Sequence, residues 1–258
     1  MRIGKTDQPL TAISTSDADS ITVRGLDLCG EIIGRMDFTR YFWLLVTGTH
    51  ADENQHFFAD AVLTAIAEHG LVPSVVAARM TYAAAPEAFQ GAVAAGLSGC
   101  GTVVLGSAEV AGQFLAELVA AAGDGDPAPV AAARLAKHRM EKRAVPGFGH
   151  PLHADGDPRA RRLLELADER GVAGRHIAML RAVKAALPHT HGRDLPINVN
   201  GAIPAVMLDI GFPLAALKGI SLLARTASLI AHLREEAERP IGFILADEAA
   251  KSITYDGG

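Results

Sequence analysis

The hydrophobic residues of this chain recur mainly at intervals of three and four positions, which is the spacing of an amphipathic helix. One apolar face, from about 53 to 68, is formed by Phe57, Phe58, Ala61, Val62, Ala65 and Ile66. Gly70 is expected to stop that helix, because glycine readily adopts the conformation that ends a helix. Similar patterns predict helices at about 26–47, 109–122, 128–142, 158–170, 174–186, 203–210 and 218–237.

Strand signals are scarce along the chain. Residues 21–23 and 241–245 are the two short runs that favour a strand. Because strands do not alternate with helices, a parallel α/β sheet does not fit the pattern. The sequence therefore predicts an all-α fold.

Composition predicts loops in two segments. Residues 123–129 are rich in Gly, Asp and Pro, and residues 188–196 are rich in Pro and polar residues. A more strongly charged, arginine-rich segment lies between them. We interpret it as a small helical domain, 111–196, inserted into a large helical domain made of 1–110 and 197–258.

Charge and composition narrow the classes of function. The formal net charge is −5 and no block of Lys and Arg could follow a phosphate backbone, so nucleic acid is not an expected partner. The first residues lack the apolar core of a secretory signal, and no uninterrupted apolar run reaches the length of a membrane span. We expect a cytoplasmic protein that does not enter the membrane. The two cysteines, Cys29 and Cys100, form neither a metal-ligand spacing nor a disulfide framework.

The strongest local motif is Gly147-Phe148-Gly149-His150-Pro151-Leu152-His153, followed by Asp157-Pro158-Arg159. Two glycines beside a histidine let the backbone bend and present the imidazole in a cleft. Asp157 and Pro158 are typical of the N-cap and first position of a helix, which places Arg159 in its first turn. An arginine at a helix start with a histidine nearby suits a small carboxylate, although a glycine turn with a solvated His and Arg would show the same pattern.

Several motifs in the same order resemble the citrate synthase family, in the shorter form usually called citryl-CoA lyase-like. Gly147 to His150 with Asp157-Pro158-Arg159 resembles the family signature. His69-Gly70-Leu71-Val72-Pro73-Ser74, continuing to Ala77-Ala78-Arg79, resembles the segment that begins with a substrate-binding histidine. Asn198-Val199-Asn200 resembles the family's Asn-Val-Asp, and Arg225 and Arg239-Pro240 fall where the family has arginines. The resemblance covers the chain from about residue 21 onward and implies helical homodimers with a cleft between two domains.

The resemblance implies a role for each matching side chain. Arg159, Arg225 and Arg239 would clamp the carboxylates of an oxaloacetate unit with forked, charge-assisted hydrogen bonds. His150 would hold the carbonyl oxygen, or take the hydroxyl proton in the cleavage direction. His69 would be a further donor to the same unit. From the residues alone, Arg225 could equally be a cation that snorkels along a helix, and Arg239 a solvated surface charge.

The resemblance also implies the ligands and the assembly. A coenzyme A thioester would be a substrate, with Ser74 among the residues that bind it, and no cofactor would be tightly bound. The arginine-proline pair at Arg239 resembles the pair that reaches across the family's dimer. We therefore expect a homodimer with two active sites that bind a small carboxylate and an acyl-CoA.

Two departures from the family pattern concern the enolate chemistry. Val104 stands where the family has the enol-stabilising histidine, and Val cannot donate a hydrogen bond. Asn200 stands where the family has its carboxylate base, and an amide cannot accept that proton at neutral pH. Glu109 is the nearby carboxylate that could substitute, although a glutamate is also favoured there by the helix dipole alone. The loss of a general base typically costs about 10²–10⁴-fold in rate.

These departures favour carbon–carbon cleavage that begins at a hydroxyl over a Claisen condensation. We expect a lyase that acts on a 3-hydroxyacyl-CoA or a related hydroxy di- or tricarboxylate. Two alternatives stay open: a citrate synthase-type acyltransferase, and a catalytically weakened protein that binds an acid or an acyl-CoA.

Other classes of function have weaker support. Gly99 and Gly101, with Gly106 downstream, resemble part of a dinucleotide-binding motif. However, Val104 stands at the position of its third glycine, and no strand is predicted before it. A metal hydrolase would use the pairs His150 with His153 and His189 with His191, but neither has a supporting carboxylate at helical spacing. A purely structural protein would not need arginines at three matching positions.

Overall fold

The computed structural model of the protein describes residues 9–103, 105–149 and 156–257. Within these ranges the chain forms eleven α-helices and one small sheet, which confirms the predicted all-α class. The helices are α1 Phe38–Thr47, α2 Glu53–Ala67, α3 Pro73–Ala84, α4 Phe89–Ser98, α5 Ser107–Ala122, α6 Pro127–Met140, α7 Pro158–Glu169, α8 Arg175–His191, α9 Val199–Asp209, α10 Leu217–Glu238 and α11 Gly242–Ser252.

The chain divides into two compact units, 1–60 and 61–258. The predicted insertion of a small domain at 111–196 is a different division and stays a prediction. All the described residues of the candidate site belong to the second unit.

The first unit holds the sheet, whose strands β1 Ser14–Ser16, β2 Ile21–Val23 and β3 Leu26–Asp27 are antiparallel neighbours in that order. The strand predicted at 21–23 is confirmed, whereas the single helix predicted over 26–47 is wrong. That stretch contains β3, a π-helical turn at Leu28–Ile32 and α1. Gly34, with φ 76°, lies between the π-helical turn and α1 and interrupts the helical conformation. Asp37 then caps α1 by accepting a hydrogen bond from the Arg40 N–H, so α1 begins as a separate helix.

Helix α9 forms the centre of the second unit. All of its residues from Gly201 to Met207 are buried, and it packs against α5, α7 and α8. A helix that is apolar on every side belongs in a core, because each face needs a partner that excludes water. The first turn of α9 carries Asn200, so this core helix places one of the predicted site residues.

A second group of helices, α3, α4 and α10, packs around Val75, Ala78, Ala92, Leu229 and Leu233. Neither α3 nor α4 was predicted, because their many Ala and Gly residues give little contrast between an apolar and a polar face. Gly96 shows why small residues are needed there. A Cβ at Gly96 would lie 2.7 Å from a Leu229 methyl carbon and 2.9 Å from the Ser74 carbonyl oxygen.

Two expectations from local sequence are wrong near the ends of helices. The strand predicted at 241–245 is the start of α11, because the buried Glu236 carboxylate accepts hydrogen bonds from the Ile241 and Gly242 N–H groups and caps that helix. The loop predicted at 188–196 begins later, since α8 continues through Pro188 to His191 and ends at Gly192, which has φ 65°. The Glu236 hydrogen bonds thus set the start of α11, and the left-handed turn at Gly192 sets the end of α8, where composition had predicted a strand and a loop.

Residues Leu214–Glu238, which include α10, are long and apolar enough to cross a membrane by length and composition. However, α10 packs against α3, α4 and α5 and buries Arg225 and Glu236. These contacts are those of a core helix.

A short antiparallel pairing joins the glycine loop at residues 147–149 to the start of α9. Phe148 and Ile197 form a β-bridge, the Gly149 N–H donates to the Pro196 carbonyl at 2.8 Å, and the Asn198 N–H donates to the Gly147 carbonyl at 3.0 Å. The chain passes directly from Gly149 to His150, which lies outside the described residues. The loop that leads to the predicted catalytic histidine is thus attached to the helix that carries Asn200.

Two glycines allow this pairing to be so close. Gly147 has φ 85°, and a Cβ at Gly147 would lie 2.8 Å from the Gly201 Cα. A Cβ at Gly201 would lie 2.5 Å from the Gly147 carbonyl oxygen. Because both obstacles are backbone atoms, neither can rotate away.

We predict that Gly201→Ala lowers the free energy of unfolding by about 1–3 kcal/mol, as overpacking does, despite alanine's better helix propensity. Gly219→Ala is the matched control, since Gly219 is also helical and has nothing within 4 Å of a new Cβ. The control should be neutral or stabilising by up to about 1 kcal/mol. Urea unfolding followed by circular dichroism measures both. Equal stability of the two variants would contradict the close approach.

Candidate functional site

Asp157 is the residue around which the first part of the candidate site is built. It caps α7 as predicted, with Pro158 at the first helical position, and it is 1% exposed. Its Oδ1 accepts from the Arg159 main-chain N–H and from Arg159 Nε, both at 3.0 Å. Its Oδ2 accepts from Arg159 Nη2 at 3.0 Å and from the Val199 N–H at 2.9 Å. One carboxylate therefore holds both Arg159 and the first residue of α9.

The electrostatics of Asp157 follow from these contacts. Burial alone would raise the pKa of its carboxyl group, but hydrogen bonds from Arg159 and Val199 and the positive charge of Arg159 lower the pKa below its ordinary value. Asp157 is therefore ionised in the folded protein. It neutralises Arg159, and it occupies the Nε and Nη2 edge of that guanidinium.

Asn200 is the second residue of α9 and is partly exposed. Asn198 caps the helix by accepting from the Gly201 N–H, and its Nδ2 donates to the Gly149 carbonyl at 2.7 Å. Four residues after Asn200 comes Pro204, which has no N–H, so the Asn200 carbonyl cannot receive its usual helical hydrogen bond. Asn200 thus offers a neutral amide at the entrance of the helix.

Arg225 is the centre of the second part of the site. It lies on α10, is 2% exposed, and donates from Nη1 to Ser228 Oγ at 3.2 Å. Its buried Nε has no hydrogen-bond partner among the described residues. Burial lowers the pKa of this guanidinium, and the nearby Glu68 offsets part of that effect. A buried cation with an unused donor is an arrangement that favours an incoming anion.

Glu68 connects Arg225 to the loop that carries His69. Glu68 Oε2 accepts from Ser228 Oγ at 2.6 Å and from His232 Nε2 at 3.0 Å. Glu68 Oε1 accepts from the main-chain N–H groups of His69 and Gly70. Partial burial would raise the pKa of Glu68, but the hydrogen bonds from Ser228, Gly70 and His69 lower it below its ordinary value. The carboxylate is ionised at neutral pH.

A second arginine, Arg79, is already neutralised. It is 2% exposed and donates from Nε to Glu236 at 2.6 Å and from Nη1 to Glu235 at 2.7 Å. Its Nη1 also faces His232 Nδ1 at 3.3 Å. Arg79 therefore ties α3 to α10 as a structural ion pair, in contrast to Arg225.

Other parts of the predicted site are placed as follows. His150 and Val104 lie outside the described residues. Glu109 lies in the first turn of α5, where the helix dipole favours a carboxylate. Arg239 ends α10 with an exposed side chain, and its main-chain carbonyl accepts from Arg79 Nη2 at 3.2 Å.

Ser74, which was assigned to coenzyme A binding, is fully buried in the first turn of α3. Its main chain lies close to Gly96 and Gly99, which precede the buried Cys100. Burial raises the pKa of the Cys100 thiol, and Arg225 partly offsets the rise. Ser74 therefore lies in the region of the buried Arg225 and is not open to solvent.

The structure thus brings the predicted residues together in two groups. Asp157 joins Arg159 to the helix of Asn200, and Glu68 joins His69 to Arg225. Reasoning from sequence missed Glu68, Ser228 and His232. A signal was available, because Glu68 directly precedes His69, and Ser228 and His232 follow Arg225 by three and seven positions on one helical face.

Metal chemistry finds no support in the described part of the chain. In residues 9–103, 105–149 and 156–257, no three His, Cys, Asp or Glu side chains are grouped so that they could hold a metal ion. The pair His150 and His153 lies outside these ranges.

Comparison with known proteins identifies the class that this fold and site define. Residues 10–242 match the family model described as citrate synthase, C-terminal domain. The chain therefore belongs to the citrate synthase family, as its motifs indicated. None of the curated protein sequences matches it.

Solved structures share the fold. Citryl-CoA lyase from Hydrogenobacter thermophilus superposes with a TM-score of 0.86 at 27% identity, over 100% of this chain and 96% of that one. ATP citrate lyase from Methanothrix soehngenii, in complex with citrate and coenzyme A, has a TM-score of 0.79 at 19% identity, over 99% of this chain and 43% of that one. Citrate synthase from Thermotoga maritima has a TM-score of 0.65 at 20% identity, over 78% of this chain and 54% of that one.

We predict that Asp157→Asn lowers the free energy of unfolding at neutral pH by about 1.5–3 kcal/mol, because an amide cannot accept all the hydrogen bonds that now reach the carboxylate. The folded-state pKa of Asp157 lies below its ordinary value of 3.8. Its contribution is therefore complete above that value and disappears as the pH falls through the folded-state pKa. Urea unfolding at a series of pH values should show the variant and the natural protein converging in acid.

Asp168→Asn is the control for this change. Asp168 lies on the same helix, α7, and pairs with Arg181 at 2.6 Å, but both side chains are about half exposed. An exposed pair contributes about 0–1 kcal/mol. A loss for Asp157→Asn no larger than that of the control would contradict the central role of Asp157.

Proposed function

We propose that this protein is a citryl-CoA lyase-like carbon–carbon lyase. Its substrate would be a 3-hydroxyacyl-CoA or a related hydroxy di- or tricarboxylate, cleaved to an oxoacid such as oxaloacetate and acetyl-CoA. The observation that carries the proposal is the buried Arg225, whose guanidinium has an unpartnered Nε and no direct carboxylate partner among the residues that the structure describes. The likeness to a citryl-CoA lyase over nearly the whole of both chains supports it.

In this proposal the acid is bound by the arginines. Arg225 would form the stronger contact, since its charge is desolvated and no described carboxylate pairs with it directly. Arg159 would use its remaining N–H groups, because Asp157 already holds the Nε and Nη2 edge. His69 would be a further donor, and Arg239 would act from the partner subunit of a homodimer. That dimer stays a prediction, as does the cytoplasmic location.

Cleavage needs a group that takes the hydroxyl proton of the substrate. His150 is assigned that role, so that the electrons of the O–H bond form the new carbonyl of the oxoacid as the carbon–carbon bond breaks. The other product leaves as the enolate of the thioester and must be protonated at carbon. Asn200 cannot supply that proton as a carboxylic acid would, and Glu109 or water would have to do so.

Two other functions stay open on specific observations. The family membership supports a condensing acyltransferase. The neutral Asn200 in place of a carboxylate supports a weakened protein that binds an acid or an acyl-CoA without fast turnover.

We predict that the protein cleaves citryl-CoA to acetyl-CoA and oxaloacetate, and that Arg225→Gln weakens the binding of oxaloacetate about ten- to hundredfold through the loss of charge-assisted hydrogen bonds. Cleavage is measured by a coupled assay for oxaloacetate, and binding by isothermal titration calorimetry. Arg234→Gln is the control, because Arg234 lies exposed on the same helix and pairs with Glu238. Binding without cleavage would favour the weakened homologue, and unchanged binding in Arg225→Gln would refute the site.

We also predict that Asn200→Asp raises the exchange of acetyl-CoA methyl protons with solvent deuterium, because aspartate is nearly isosteric and restores a proton acceptor. The gain should be modest, since Val104 leaves the enolate oxygen without a donor, and adding Val104→His should increase exchange more than additively. Gln113→Glu, which adds a carboxylate at an exposed position of α5, is the control. Fast exchange in the natural protein that Asn200→Asp slows would give Asn200 a positive role instead.

A further inference from the structure

Glu68 is a carboxylate that connects the His69 loop to the helix of Arg225, although no sequence motif marks it as functional. It lies just after α2, which ends at Ala67. One oxygen accepts from the main chain of His69 at 2.8 Å and of Gly70, and the other accepts from Ser228 and His232. His69 precedes α3 and Ser228 lies on α10, so Glu68 joins two separate elements at the site.

The contact with Arg225 passes through a single hydroxyl group. Ser228 is 5% exposed and has one hydroxyl proton, which it donates to Glu68 at 2.6 Å. Its oxygen lone pairs therefore face Arg225, which donates to them at 3.2 Å. The direction of both hydrogen bonds is fixed, and so is the position of Nη1.

This indirect contact has a consequence for the charge of Arg225. A carboxylate paired directly with a guanidinium occupies its donors, as Glu236 does with Arg79 and Asp157 with Arg159. With Ser228 between them, Glu68 orients Arg225 and partly balances its charge, and no described residue accepts a hydrogen bond from Nε. In the proposed site, an anionic ligand would bind Arg225 without displacing a carboxylate of the described residues.

His232 fixes Glu68 from the opposite side. Arg79 Nη1 can only donate, so His232 Nδ1 accepts at 3.3 Å and Nε2 carries the hydrogen that is donated to Glu68. Arg79 is itself held by Glu235 and Glu236. Glu68 is thus anchored to a buried ion pair that connects α3 and α10.

We propose that Glu68 is a positioning residue for acid binding, which orients Arg225 through Ser228 and the His69 loop through its main-chain N–H groups. The proposal rests on the proposed function, in that the ligand is taken to be a small carboxylic acid bound at Arg225. It adds that the affinity for that acid depends on a carboxylate that does not touch the ligand.

The test compares Glu68→Gln, Ser228→Ala and the double variant with the natural protein. Oxaloacetate is the probe, and isothermal titration calorimetry measures its dissociation constant. We expect each single variant to raise the dissociation constant by about tenfold, because each removes or weakens a hydrogen bond that orients the Arg225 guanidinium toward the acid. The double variant should lose less than the product of the two single effects, because both act on Arg225 through one path. Glu68→Asp, which retains the charge, should recover part of the affinity.

Nitrogen-15 spectra of the histidine rings give a readout that does not depend on turnover. The natural protein should show His232 as a single tautomer with hydrogen on Nε2, and Glu68→Gln should show a mixture, because an amide can face the ring with either its oxygen or its NH₂ group. Glu238→Gln is the control, since it removes an exposed carboxylate from α10, the helix that carries Ser228 and His232. It should change neither the dissociation constant nor the tautomer of His232.

The outcomes separate this proposal from the proposed function. If the natural protein does not bind oxaloacetate, both are overturned. If it binds oxaloacetate and Glu68→Gln and Ser228→Ala bind it equally well, only the positioning role is overturned. Should Glu68→Gln fail to fold, Ser228→Ala decides, because a buried Ser-to-Ala change removes the hydroxyl with little change in volume.

Discussion

The hydrogen bonds that converge on the Asp157 carboxylate hold together the segments on which the site depends. A buried carboxylate is tolerated because donors surround it, and here those donors are the Arg159 side chain and main chain and the Val199 N–H. The same residue therefore starts α7 and attaches it to the first turn of the core helix α9. The glycine loop is paired to the residues just before that turn, so the two sequence motifs meet at one place.

The three buried or half-buried arginines of this region differ in how their charge is balanced. Among the described residues, Arg79 and Arg159 are paired directly with carboxylates, whereas Arg225 contacts Glu68 through Ser228. Direct pairs stabilise the packing of helices, because each charge satisfies the other inside the protein. A cation that is oriented but not paired retains attraction for an anion from solution. This difference is the physical basis for proposing that a carboxylic acid binds at Arg225.

The chemistry available at Asn200 is narrower than that of a carboxylate. An amide donates and accepts hydrogen bonds but does not take up a proton at neutral pH. The helix therefore presents an uncharged amide where the family has a base, so another group would have to move a proton to or from the carbon beside the thioester.

Local sequence determined a large part of this picture. Helical periodicity predicted most of the helices, including α2, α5, α6, α7 and α10, because contacts between residues three and four apart are written directly in the chain. The capping of α7 by Asp157 was predicted for the same reason, since an N-cap acts on residues two or three positions away. The ordered motifs, taken together, also identified the citrate synthase family.

The tertiary structure alone decided which charges are paired. Glu68 and Ser228 are 160 positions apart, and Arg79 and Glu236 are 157 apart, so no local pattern relates them. The same holds for Glu236, which turns an expected strand into α11, and for Gly96 and Gly201, whose need for glycine comes from distant backbone and side-chain atoms. Periodicity reports which face of a helix is apolar, but a hydrogen bond between distant residues forms only once packing has brought its two atoms within about 3 Å.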